Sequence, residues 1–433
     1  MTAALTMACT SDLAGLVRGK GFSTADLDGK IDRGLGWTPT NALITCFDTI
    51  AESPYGALGD MVLWPDPDTL AQCDLPGGRS MSFLMGDISD LDGGPWECCT
   101  RNILKQALTR FTEVSGLELR ATFEHEFMLS GGSGTRAFSL QGFAEAQPFA
   151  DALFTALDGA GITPDSFLRE YGPDQYEVTL PPVGALRAAD EAVVLREITR
   201  ATATAMGRAV TFSPLVGPEV VGNGVHVHFS LWTTSGQPVT HHPEGQNGLS
   251  APASAFIAGV LRHLNAVCAL TAPSAISALR LVPHRWSAAY NNLGAQDREA
   301  AIRICPVSAK DPEARARQFN FEFRAADAAA SPYLTLASIV AAGTLGLAEG
   351  LQAPAATEKD LSLLSERDLT ERGLKRVPES LTAALEAFAA DTALRGVFPG
   401  RFADIYLAHK KGEWAHVADM TEEQRFAEYR AMY

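Results

Sequence analysis

Apolar and polar residues alternate one for one in four short stretches of this chain. They are Thr122-Phe123-Glu124-His125-Glu126-Phe127, Gln175-Tyr176-Glu177-Val178-Thr179-Leu180, Gly224-Val225-His226-Val227-His228-Phe229-Ser230-Leu231 and Phe319-Asn320-Phe321-Glu322-Phe323-Arg324. A period of two sends successive side chains to opposite faces, so each stretch predicts a half-buried strand. Elsewhere the period lengthens: Ile103, Leu104, Ala107, Leu108 and Phe111 share one face of a helix predicted over 100–115. Similar spacing predicts helices over 148–160, 185–206, 251–270, 331–349, 378–390 and 421–433. The longest apolar run, 334–347, is interrupted by Thr335, Ser338, Gly343 and Thr344 and is too short to span a bilayer, so it predicts a buried helix.

Residues 41–90 read differently, as short apolar runs cut by Pro54, Pro65, Pro67, Pro76 and several glycines, the pattern of a small β-rich domain. The change of period near residue 100 sets the expected boundary. An α+β chain is predicted, with a small domain over 1–100 and a larger one over 101–433 in which strands and helices alternate. A length of 433 residues, beyond one ordinary core, agrees with two domains.

Composition narrows the partners. With 46% hydrophobic and 20% charged residues the chain suits a globular enzyme. A net charge of −16 argues against nucleic acid or an anionic membrane as the main partner, because either would approach an acidic body. An anionic small-molecule substrate would need local arginines or metal ions. The seven cysteines form no Cys-x-x-Cys pair, and the first twenty residues lack a basic segment followed by an apolar core, so the cytoplasm is the expected compartment.

The polar faces of the four strands carry the candidate chemistry. Glu124, Glu126, Glu177, His226, His228, Ser230, Glu322 and Arg324 all fall on the non-core side. Solvated strands usually show Thr, Lys, Ser and Gln, whereas these carry mainly Glu and His and no Lys. Closely packed carboxylates repel one another unless a cation sits between them, and Glu with a single His suits Mg2+ or Mn2+ better than zinc.

In order along almost the whole chain, these motifs resemble the glutamine synthetase family. The resemblance is carried by Gly59 to Leu70, Glu124-His125-Glu126-Phe127, Glu170-Tyr171-Gly172-Pro173-Asp174-Gln175-Tyr176-Glu177, Gly222 to Trp232, Arg298-Glu299-Ala300-Ala301-Ile302-Arg303, Glu322 to Asp327 and Ser331-Pro332-Tyr333-Leu334. It implies an N-terminal β-grasp domain and a catalytic domain on a curved antiparallel sheet with flanking helices. It also implies ATP and Mg2+ or Mn2+ as cofactors, with one ion held by Glu126, Glu170 and Glu177 and a second by Glu124, His226 and Glu322. By the same resemblance His228 and Ser230 stand beside the nucleotide, and Gly222 lies on the substrate side together with Glu126 and Glu170. Arg280, Arg298, Arg303 and Arg324 receive the substrate carboxylate and the phosphates. The family assembles as hexameric rings, with the dodecamer as the expected oligomer.

Two departures from the family pattern bear on the acceptor. Six residues after Arg280, where ammonia-using members carry a flap glutamate, stands Trp286, which cannot accept a proton but can shape an apolar or cation–π pocket. The Asp-Gly-Ser-Ser stretch of glutamine-forming members is absent from the region Phe47 to Pro54. The first resembles the branch that joins organic amines to glutamate, giving a γ-glutamyl amide through a γ-glutamyl phosphate, and the second also tells against ammonia binding. Ammonia-dependent glutamine synthesis and a catalytically inactive assembly protein are the alternatives. Ser362 replaces the tyrosine that is adenylylated in regulated bacterial members, so control by that modification is not expected.

Overall fold

The computed structural model describes residues 3–433, and two sheets organise them. The first contains β1 (Leu5–Ser11), β2 (Val17–Ser23), β3 (Leu35–Trp37), β4 (Met61–Pro65), β5 (Ala71–Leu75) and β6 (Arg79–Ser89), with helix α1 (Leu27–Arg33) between β2 and β3. Its order is β2-β1-β6-β4-β3, with β5 pairing the first half of β6. β1 and β6 run parallel and the other neighbours antiparallel. The proline-cut segment supplies β4 to β6, as the pattern predicts. β2 escapes that reading because only Phe22 of its seven residues is buried, which leaves no alternation to see.

The second sheet holds all four alternating stretches. Its strands are β7 (Leu117–Leu129), β8 (Ser166–Arg169), β9 (Gln175–Thr179), β10 (Val183–Gly184), β11 (Val210–Thr211), β12 (Val225–Thr233), β13 (Tyr290–Ala295), β14 (Ala300–Ile304) and β15 (Phe321–Phe323). The order is β13-β14-β15-β12-β7-β9-β8, with β10 and β11 on β7. The expected antiparallel sheet needs one correction: β13 and β14 pair in parallel, with an irregular register between Tyr290 and Leu293.

The helices are α2 (Thr100–Ser115), α3 (Leu140–Gly159), α4 (Ala185–Ala205), α5 (Ala251–Arg262), α6 (Leu264–Thr271), α7 (Ser277–Arg280), α8 (Pro312–Gln318), α9 (Pro332–Glu349), α10 (Glu366–Glu371), α11 (Leu381–Ala390), α12 (Thr392–Arg395), α13 (Phe402–Val417) and α14 (Glu422–Met432). α9 is apolar all round because it packs against α2, α4, α5 and α6, and 78% of it is buried within the protein. Its closest neighbour is α5. A Cβ on Gly259 would lie 2.3 Å from the Ala342 carbonyl oxygen, and one on Gly346 would lie 2.2 Å from that of Ala255, so only glycine lets these backbones meet.

Two helical expectations shift, and one long helix lies outside them. The helix predicted from Pro148 begins at Leu140, capped by Ser139 accepting the Gly142 N–H at 3.0 Å, and Pro148 lies inside it. The helix predicted over 251–270 breaks into α5 and α6 with a bend of 76°, at His263, whose Nδ1 lies 2.6 Å from Asp391. α13 was not predicted. Its buried face includes His409, Lys410 and Glu413, with Lys410 Nζ 2.8 Å from Glu413, so paired charges interrupt the apolar stripe.

Candidate active site

Strand register builds the site. Glu126 faces Glu177 across β7 and β9, His226 faces Glu124 across β12 and β7, and His228 faces Glu322 across β12 and β15. Between them Phe123, Phe127, Val225, Val227, Phe229, Phe321 and Phe323 turn the other way into the core. The alternation in the sequence is therefore the site itself, with one face packed on helices and the other presenting carboxylates and imidazoles. That second face is not open to bulk water: Glu322 is 2% exposed and His226 6%.

Distances tie these groups together. His226 Nδ1 lies 3.5 Å from Glu124 and 3.6 Å from Glu322, and His228 Nε2 lies 3.1 Å from Glu124. Glu322 also pairs with Arg303 at 2.8 Å and with Arg324. Glu126 accepts the Gly224 N–H at 2.7 Å and a Gln175 amide N–H at 3.3 Å, while Gln175 donates to the Gly222 carbonyl at 3.0 Å. Gly222 must lack a side chain, since a Cβ there would stand 2.4 Å from the Pro214 carbonyl oxygen and 2.7 Å from Arg280. Arg280, buried beneath the site, donates to the Ala326 carbonyl at 2.6 Å.

A cavity of about 800 Å3 opens over this face. Its lining includes Glu124, Glu126, Glu170, Glu177, Gly222, His226 and His228 together with Arg280, Arg298, Arg303, Arg324 and Trp286. Of the sequence-predicted residues only Ser230 lies outside it. Ser230 lines an adjoining trough of about 590 Å3 that shares Glu124 and His228 with the first, and its Oγ accepts the Trp232 indole N–H at 2.8 Å. The Arg120 guanidinium lies 4.0 Å over the Trp232 ring at the same end, a platform that neither strand pattern signals.

The electrostatics divide the face in two. Burial raises Glu124 and Glu322, yet neighbouring cations outweigh it: His228 and His226 hold Glu124 well below the usual carboxylate range, and Arg324 with His226 and His228 brings Glu322 to about 2. His228 rises well above an ordinary histidine because Glu124 and Cys305 overcome its burial. Across the strand pair the balance reverses. Burial and the nearby charges of Glu124, Glu126, Glu170 and Glu322 push Glu177 up to about 9, and burial with Glu126 also raises Glu170.

Among the described residues no hydrogen bond or ion pair reaches the Glu177 carboxylate, although it sits in this crowded face. Such a group fits a cation between carboxylates. Ligand atoms of Glu126, Glu177 and His226 come within 4.8 Å of one another, as do those of Glu124, His226 and Glu322. Glu170 lines the same cavity outside these sets, its carboxylate accepting the Tyr171 N–H at 3.0 Å. A third set, His228, Cys305 and Glu322, joins residues the strand patterns do not connect, because Cys305 reaches it from the end of β14.

Trp286 caps the cavity as a side chain 62% exposed, on a backbone with φ of 55°. Its peptide is held from both sides: the N–H donates to Glu299 at 3.1 Å and the carbonyl accepts from Arg324 at 3.0 Å. Glu299 stands in the Arg298–Arg303 motif, but nothing in the sequence gives it this role. Beyond Trp286 lies another cavity of about 670 Å3, which shares Trp286, His284 and Arg298 with the first. Asp48, in the divergent N-terminal stretch, pairs with Arg18 at 3.0 Å.

Comparison with known proteins matches residues 2–96 to the glutamine synthetase N-terminal domain and residues 97–429 to the glutamine synthetase catalytic domain. A γ-glutamylpolyamine synthetase, GlnA3 of Streptomyces coelicolor, is 34% identical over 434 residues, spanning 98% of this chain and 92% of that protein. A glutamine synthetase of Methanocaldococcus jannaschii is 31% identical over 385 residues, spanning 86% of this chain and 82% of that protein. Among solved structures, a novel glutamine synthase homolog superimposes with a TM-score of 0.92 at 40% identity, covering 100% of this chain and 99% of the other. GmaS in complex with ADP superimposes with a TM-score of 0.83 at 25% identity, covering 98% and 96%.

Proposed function

The chain belongs to the glutamine synthetase family, whose members are ATP-dependent ligases, and from that premise we propose that it joins an organic amine to the γ-carboxylate of glutamate. The observation that carries the choice of acceptor is Trp286, which caps a cavity otherwise furnished with the family's acidic and arginine residues. The similarity to a γ-glutamylpolyamine synthetase over nearly the whole chain supports the same reading.

The chemistry follows from the weakness of a carboxylate as an acylating agent. Its oxygen attacks the γ-phosphorus of ATP, ADP leaves, and the resulting γ-glutamyl phosphate is then attacked by the amine nitrogen, with phosphate leaving and a proton lost from nitrogen. In our reading Arg280 and Arg324 receive the substrate carboxylates, while Arg298 and Arg303 meet the charge that spreads over the transferred phosphoryl oxygens. His228 and Ser230 flank the nucleotide, whose base the Arg120–Trp232 platform suits. Gly222 leaves room beside Arg280 for the amino acid. Glu126, Glu170 and Glu177 would hold one divalent cation, Mg2+ or Mn2+, and Glu124, His226 and Glu322 a second. Bound there, such ions neutralise phosphate charge and bring two anions together.

Residue 286 cannot be the proton acceptor in this protein, so the amine is selected by the shape of the pocket and not by a flap carboxylate. We further infer a division of the chain near residue 100, a cytoplasmic location and assembly into hexameric rings. The test is phosphate release from ATP with glutamate and a panel of alkyl-, aryl- and polyamines beside ammonia. Turnover with an organic amine well above that with ammonia is expected. Efficient use of ammonia alone would make the protein a glutamine synthetase, and absence of any turnover would make it an inactive assembly.

A further inference from the structure

The turn that carries Trp286 is held in a conformation its residues do not favour. His284 has φ of 62° and Trp286 has φ of 55°, both in the left-handed region that ordinary side chains avoid. A left-handed residue costs on the order of 1 kcal/mol, so two in three residues need an outside restraint. The chain supplies one at a single side chain. Glu299 accepts the His284 N–H through one carboxylate oxygen and the Trp286 N–H through the other, each at 3.1 Å.

The clamp is itself anchored. The Glu299 N–H donates to Asp297 at 2.9 Å, its carbonyl accepts from Ala289 at 3.4 Å, and the residue leads directly into β14. On the far side of the turn, Ser287 Oγ donates to the Arg280 carbonyl at 2.5 Å and Arg285 donates to the Val220 carbonyl at 3.0 Å. His284 Nε2 lies 3.0 Å from Ser362 Oγ, which packs the 360–364 segment against the same turn. The Trp286 peptide thus links two parts of the site, since its carbonyl is held by Arg324, the partner of Glu322.

Resting on the amine-ligase reading above, we infer that Glu299 is a positioning residue for the acceptor: its bidentate grip on the 284 and 286 peptides fixes where Trp286 stands and so sets which amine is accepted. Both carboxylate oxygens are occupied by backbone donors, which fits a clamp and leaves the reacting atoms to other groups. Charge-assisted bonds to a carboxylate are the strong class, and glutamine cannot replace both, because its amide nitrogen would oppose the second N–H.

The experiment has two arms. Hydrogen exchange of the wild-type enzyme at single-residue resolution should show the His284 and Trp286 amides exchanging more slowly than that of Arg285. In Glu299→Gln, and less so in Glu299→Asp, both should exchange faster. In steady-state assays Glu299→Gln should raise the amine KM about tenfold, the size of one lost charge-assisted bond, and shift the ranking of amines, with changes in glutamate and ATP KM several times smaller. An amine KM that moves no more than that of glutamate overturns the positioning role. Equal exchange of the three amides in the wild type overturns the clamp, and this arm needs no turnover. Wild-type turnover with ammonia alone removes the amine-ligase reading, and with it the role in amine choice, while slow exchange at 284 and 286 would uphold the clamp.

Discussion

Around Arg101, every guanidinium nitrogen meets a carboxylate: Nε and Nη2 reach Asp190 at 2.9 and 3.0 Å, Nη2 reaches Asp66 at 2.8 Å, and Nη1 reaches Asp87 at 3.1 Å. Tyr333 donates to Asp190 at 2.6 Å and Lys105 adds a second cation at Asp87. This network joins β6, the start of α2, α4 and α9. The face over β7 and β9 is built on the opposite plan. Glu124, Glu126, Glu170 and Glu177 are gathered in one cavity, its arginines pair with Glu322 and with backbone carbonyls rather than with Glu177, and Glu177 has no partner among the described residues. A protein tolerates buried charge by closing it, so a cluster left open is space reserved for something that arrives later. The comparison separates a joint of the fold from a site.

The most severe test removes one residue from each cluster. Glu126→Ala or Arg324→Ala should reduce turnover by about a thousandfold or more, since each removes a group facing charge that develops in the reaction. Circular dichroism and size should remain those of the wild type. Arg101→Ala should do the reverse, costing about 3–5 kcal/mol of stability by stranding buried aspartates while the site residues themselves are untouched. Thermal melts beside phosphate-release assays read both. If the Arg101 variant stays stable, or either site variant keeps appreciable activity, the contrast between joint and site collapses.

A gentler test addresses the open charge itself. In metal-free protein the Glu177 carboxyl is displaced from its ordinary 4.5 to about 9 by burial and by its acidic neighbours. A carboxyl raised in the folded state favours folding when protonated, so its contribution is intact below about 4.5 and is lost as pH climbs through about 9. With chelator present, the melting temperature of the wild type should therefore fall between pH 6 and pH 9 by a few degrees more than that of Glu177→Gln, a difference of about 3–4 kcal/mol. Adding Mg2+ or Mn2+ should restore the wild type and leave the variant behind. Parallel pH curves without metal would mean that the face is not strained by its own charge.

These contrasts also mark where the sequence could be read. Period-two alternation in 175–180 and 224–231 matches β9 and β12 to within two residues, and 122–127 forms the middle of the longer β7, because one face of each is buried in the core and the other must carry something polar. α2 and α9 were equally legible. Where polar groups are buried in pairs the pattern goes silent, as with Lys410 and Glu413 in α13. Pairing between distant residues left no local mark: nothing near Arg101 announces Asp190, and nothing near Trp286 announces that Glu299 grips its peptide. Ser230 fell in the adjoining trough because one more strand repeat carried it past the cavity wall.

The smallest expected effect sharpens the comparison most, because it concerns the one large residue that belongs to neither charge cluster. Trp286 makes its polar contacts through the backbone, to Glu299 and Arg324, so removing the ring leaves those bonds in place. Trp286→Ala should therefore leave glutamate and ATP KM close to wild type and change the ratio of kcat/KM between amines by several-fold, about 1 kcal/mol, the scale of one aromatic or cation–π contact at a partly exposed site. Amines with apolar or extended cationic tails should lose most, and small ones least. An unchanged ranking of amines would reduce the ring to packing for the turn, and the acceptor's selection would then lie with the carboxylates and arginines beneath it.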